Sequence, residues 1–211
     1  SATITGALSA ASVVAGASAR IDGGIVATGT VSLSSNATIA GGIRGTTVTT
    51  GASSTISGKI DADAFTLASG SMLTGDIKAP QVELSAAGAT VKGSITATTS
   101  LVIGSGNTVN GNVSGGALTM ASANVTINGN VTMTGDVDIG SNGTINGDLA
   151  ARNVTTKASG DYLNGNVAVN AIFLDYGASV AKTITCTGAG ASGCSFVTRA
   201  DANYQPVCGS L

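Results

Sequence analysis

Two acidic doublets and three cysteines are the residues of this chain best equipped for chemistry. Asp61 and Asp63 in "DADA", and Asp136 and Asp138 in "GDVDIG", resemble fragments of calcium loops, where closely spaced carboxylates surround a hard cation. Neither doublet has the acidic spacing of an EF-hand or the Gly-Gly-x-Gly-x-Asp nonapeptide, so surface aspartates are expected and no metal ligand is assigned. The sequence has no His, which removes Ser/His/Asp triads, Cys/His dyads and imidazole metal sites. No enzyme activity, catalytic residue or cofactor is expected.

Cys186, Cys194 and Cys208 cluster near the C-terminus, which suits a stapled end formed in an oxidising compartment. The chain begins at Ser1 rather than Met, as a processed, exported polypeptide or a trimmed one would. A net charge of -2, with nine scattered Lys and Arg, gives no basic stripe for nucleic acid. No apolar run is long enough to span a bilayer as a helix.

The elements that must position these residues are written in the composition. Only 3% of residues are aromatic and 9% charged, whereas 43% are hydrophobic and 31 are Gly. Gly and β-branched residues disfavour helix, and the aliphatic content is too high for a disordered tail. Folded β structure is the consequence.

A five-residue unit, apolar-x-Gly-x-apolar, recurs through the chain: "ITGAL" from Ile4, "IDGGI" from Ile21, "IAGGI" from Ile39, "ISGKI" from Ile56, "LTGDI" from Leu73, "VKGSI" from Val91, "VNGNV" from Val109, "INGNV" from Ile127, "INGDL" from Ile145 and "LNGNV" from Leu163. The starts are 17 or 18 residues apart, and a degenerate eleventh unit, "VAKTI" from Val180, carries Lys182 in place of Gly. Alternating apolar residues make the unit a strand with its apolar face inward, its glycine also inward for want of room or for its backbone freedom. A second apolar pair, such as Val137 and Ile139, supplies a second strand, and segments such as "GSNGT" supply a tight corner. Each repeat is then one coil of an all-β, three-sided, single-stranded β-solenoid of ten to eleven coils, a rod of roughly 50 Å at about 4.8 Å per strand. The solenoid is expected over 1–185 and a cysteine-containing cap or latch over 186–211.

Outward positions form columns. Asn110, Asn128, Asn146 and Asn164 stack in one, and Asn112, Asn130, Asp148 and Asn166 in its neighbour, where amide ladders are expected. Lys59 and Asp76 fall on adjacent coils of the second column and should pair weakly. A left-handed hexapeptide helix fits Ile127, Met133, Ile139 and Ile145, but the step fails at Ser85, Lys157 and Asp175. An ice-binding Thr-x-Thr array would need neighbours in register for "TTVTT" at Thr46 to Thr50, and the sequence offers none.

At "LTGDIKAPQVELSAAGATVKGSI", Leu73 to Ile95, the chain resembles the bactofilin family of polymer-forming β-solenoids, a resemblance carried by the repeat from residue 4 to about 184. It implies a right-handed triangular β-helix whose coil ends join into filaments without nucleotide, often near a membrane. Bactofilins are typically cytoplasmic, with flexible charged or Pro-rich tails and fewer coils, and here the chain departs from them. The expectation is an extracellular or cell-surface filament subunit whose partner is itself, with cytoplasmic or inner-membrane association as the alternative place. A monomeric adhesin, or an ice- or carbohydrate-binding rod contacting the cell envelope, is the alternative role.

Attention therefore falls on the rod ends. The expected assembly interface is Ile4 and Leu8 at one end and Val180, Ile184, Phe196 and Tyr204 at the other. Cys186 falls where earlier coils carry Met133 or Ala97 and reads as a buried free thiol. That leaves Cys194 with Cys208 as the preferred disulfide, Cys186 with either remaining open.

Overall fold

A computed structural model describes residues 2–85, 87–121 and 123–187, together with the backbone of 195–198. Every strand pairing in it is parallel, and the partners lie one coil apart in sequence, as in Thr108↔Thr126 and Thr126↔Thr144. Eleven short strands, from Thr3–Ile4 to Ser179–Val180, stack into one narrow sheet. Two further strands per coil build the other faces, for example Val131–Met133 and Val137–Ile139. From Ile43–Thr49 to Val113–Met120 these two faces run together as single long strands. The architecture is a three-sided β-solenoid.

The recurring pentapeptide is not a strand. In "INGNV", Thr126–Ile127 ends the short face, Asn128 to Asn130 turn, and Val131–Met133 begins the next face. Its apolar ends enter the core from two sides of a corner, and Ile127 and Val131 are both fully buried. Burying a side chain such as Ile127 contributes roughly 1.5–3 kcal/mol, and only stacked coils provide the burial.

The glycine of the unit is required for space. A Cβ on Gly129 would run into the backbone carbonyl of Gly111, one coil earlier, and Gly93, Gly147 and Gly165 are placed alike. Gly129 has no positive φ, so lack of room is the reason for glycine there. The corner leading back to the short face does use left-handed backbone, at Asn36, Asn124 and Asn142 among others.

The core is one continuous cluster from Val13 to Val180, filled by Val, Ile, Leu and Ala, with Phe65 its largest fully buried side chain. Parallel pairing continues past residue 185: Ile184–Cys186 pairs with Val167–Val169, and Ser195–Thr198 pairs with Ala171–Leu174. The ladder therefore enters the segment that the sequence suggests is a separate cap.

Candidate functional site

The two ends of the rod differ from its middle in one respect that matters for association. Ile4 heads a column whose later members, Ile21 and Ile39, are 2% and 0% exposed, yet Ile4 itself is 41% exposed. Leu8 is half-buried, whereas Ile25 behind it is buried. Among the described residues, the strands Thr3–Ile4, Leu8–Ala10 and Val13–Ala15 each pair on one side only, with the second coil. Their other edge presents N–H and C=O groups of the kind that accept another strand.

At the opposite end Ile184 is half-buried and Val180 is buried, so of these two Ile184 is the more accessible. The backbone of Phe196 pairs with Ile172, in the register of the core column that contains Val137 and Val154. Tyr204, Cys194 and Cys208 lie outside the described residues.

Cys186 occupies the inward register position after Val169, as its place in the repeat suggests, but it is exposed. It is also engaged rather than a free thiol, which corrects the expectation of a buried free sulfhydryl. The physical reason for the exposure is its place on the last described coil, where burial by a neighbouring coil stops.

The outer columns carry the polar chemistry of the rod. Nδ2 of Asn128 donates to Oδ1 of Asn110 at 2.7 Å, Asn146 to Asn128 at 2.6 Å, and Asn164 to Asn146 at 2.6 Å. In the neighbouring column the side-chain oxygen accepts a backbone N–H from the coil above: Asn112 from Asn130, Asn130 from Asp148, and Asp148 from Asn166. Both ladders occur where the sequence places them. The Thr108, Thr126 and Thr144 column runs beside the first ladder, so the short face bears a Thr-x-Asn array in register. A search for Thr-x-Thr misses it because Asn takes the second place.

Three of the four doublet carboxylates, Asp61, Asp136 and Asp138, lie beside cations of this chain. Asp136 accepts from Nε and Nη2 of Arg152 at 2.9 and 2.7 Å and from Nδ2 of Asn153 at 2.8 Å, and the Arg152 hydrogen bond holds its carboxyl below the usual range. Asp138 pairs with Lys157 at 2.7 Å. Asp61 lies 3.9 Å from Arg44, and Lys59 lies 3.8 Å from Asp76, all exposed. Among the described residues no group of three or more acidic or cysteine side chains is placed to hold a metal.

Among the described residues six polar residues are buried, and four of them (Ser54, Ser71, Asn107 and Asp161) occupy the inward corner before the short face. Asn107 is fully satisfied: Oδ1 accepts from the Ala89 N–H at 2.8 Å, and Nδ2 donates to the carbonyls of Leu84 and Ser85 at 3.1 and 2.8 Å. Oδ1 of Asp161 accepts from the Gly143 N–H at 2.7 Å, but its buried Oδ2 has no partner. Burial pushes the Asp161 carboxyl up to about 7; the Gly143 N–H opposes the rise and the Asp175 charge adds to it. Sequence reading misses this residue, although Asn107 and Asp161 stand three 18-residue coils apart.

Parallel coils with in-register polar ladders define a β-solenoid. Residues 84–168, from the fifth coil into the tenth, match the bactofilin family, described as polymer-forming cytoskeletal. Over those residues the chain is similar to that family, and its solenoid continues in the same register on both sides of the matched stretch. Comparison with curated proteins and with solved structures returns no significant match. Among the described residues no helix is long and apolar enough to cross a membrane.

Proposed function

We propose that this chain is the subunit of an extracellular or cell-surface filament that grows by end-to-end stacking of coils. The observation that carries the reading is the 41% exposure of Ile4 at the head of a column otherwise closed to water. A second subunit placed on that coil pairs its free strand edges and covers Ile4 and Leu8, combining β-augmentation with aliphatic burial. Ile184 on the last described coil offers a similar half-covered aliphatic.

Residues 186–211 act in this reading as a latch. Cys186 is engaged, which favours a staple from Cys186 to Cys194 or to Cys208 over one between Cys194 and Cys208. An oxidised latch fits an exported filament, since thiols are kept reduced in the cytoplasm. Cytoplasmic or inner-membrane association is the competing location, and protease accessibility on intact cells separates the two.

Negative-stain electron microscopy of the purified chain, with and without reductant, tests the assembly. Regular filaments are the expected result. Single particles about 50 Å long that persist at high protein concentration contradict it.

A second reading is favoured by the Thr-x-Asn array on the short face. Evenly spaced hydroxyls and amides make that face a surface for ice or carbohydrate on a monomeric rod or adhesin. Monomeric chain that retains ice-recrystallisation inhibition or glycan binding would support it over the filament.

A further inference from the structure

Asp161 stands at the corner position that Asn107 fills with an amide three coils earlier. Thr108, Thr126, Thr144 and Tyr162 are successive register partners, so the residues before them, Asn107 and Asp161 included, share one inward corner position. At that position Asn107 uses its oxygen for the N–H of the coil below and its NH2 for two carbonyls at the end of that lower coil's strand Ile77–Leu84. Asp161 reproduces the first bond, to Gly143, and Ile139 stands in the register position of Leu84 at the end of the strand before that corner. An ionised carboxylate has no donor to place where Asn107 has its NH2. A neutral carboxylic acid has one.

We propose that Asp161 carries its proton on Oδ2 in the folded rod, standing in for the amide of Asn107, and that loss of this proton loosens the corner joining coils nine and ten. A fully buried carboxylate oxygen without a partner is costly, whereas the neutral acid removes the charge from the apolar corner. Among the described residues, the surrounding groups leave the corner without a nearby free cation. The coil below contributes Gly140 to Thr144, with no ionisable side chain. The coil above contributes Asp175, whose charge opposes ionisation of Asp161, and Tyr176, which is exposed. On its own coil Tyr162 is exposed, and the Lys157 ammonium is held by Asp138 at 2.7 Å.

An Asp that binds its proton more tightly folded than unfolded contributes stability in full below about pH 4 and loses it as pH rises through its folded value, here about 7. The rod end containing coils ten and eleven is thus tightest in acid and loosens across neutrality.

The test is the thermal midpoint of the full chain and of Asp161→Asn between pH 5 and pH 8.5, with hydrogen exchange followed in coils nine to eleven. The wild type should lose midpoint and protection as pH rises, while Asp161→Asn stays flat and exceeds the wild type at pH 8.5. A carboxyl 13C titration of Asp161 in the wild-type chain supplies a readout independent of the variant's folding, with a midpoint expected well above that of an ordinary Asp. Parallel pH slopes in the two proteins, or a titration midpoint near 4, overturn the proposal.

Discussion

Asn146 donates its Nδ2 to Oδ1 of Asn128 at 2.6 Å, one rung of an amide ladder that runs from Asn110 to Asn164 on the outside of the rod. Each amide lies one coil from the next, so the bond reports coil register directly.

Removing a middle rung breaks two of these bonds at a solvated site. Asn128→Ala is expected to cost about 0.5–1.5 kcal/mol in chemical denaturation, with a smaller further loss when Asn146→Ala is added, because the two share a bond. Fully additive losses would argue against a connected ladder.

Gly129→Ala should do more harm than either, since its Cβ would enter the space of the Gly111 carbonyl. A loss of about 1–3 kcal/mol is expected from forced backbone movement. Unchanged stability would mean that the corner has room after all. Alanine at Gly16, where a Cβ meets nothing, is the matched control and should be nearly neutral.

The Asp136–Arg152 pair makes the opposite pH prediction from Asp161. Its carboxyl is depressed, so its contribution is present above the ordinary Asp range and is lost as pH falls through the lowered folded value. Arg152→Ala should therefore lower the thermal midpoint slightly at pH 7 and leave it unchanged in strong acid. The difference should also shrink in high salt, because both groups are exposed. A difference that persists in acid would assign the effect to packing.

Much of the fold is legible in spacing alone. The 17- and 18-residue steps between Ile4 and Val180 place all eleven strands of the short sheet, and the Asn columns emerge by counting. The conformation of the repeated unit is not legible this way: alternating apolar residues around a glycine suit a strand and a corner equally, and only the coil packed beneath Gly129 decides between them. Arg152 on Asp136 and Lys157 on Asp138 are hidden for a related reason. Those pairs are 16 and 19 residues apart, off the repeat, because long side chains reach diagonally across coils. Asp161 is legible in principle through Asn107, but a surface column and an inward corner look alike in sequence. Exposure of Cys186 depends on whether another coil covers it, which periodicity does not encode.

The central claim is that exposed aliphatics on the first coil join one subunit to the next, and Ile4→Asp and Leu8→Asp test it most directly. Sedimentation and negative-stain microscopy should show wild-type filaments and non-assembling variants, while circular dichroism and thermal unfolding report inner coils that remain folded. Variants that still polymerise like the wild type would contradict the account and remove the first coil as the interface.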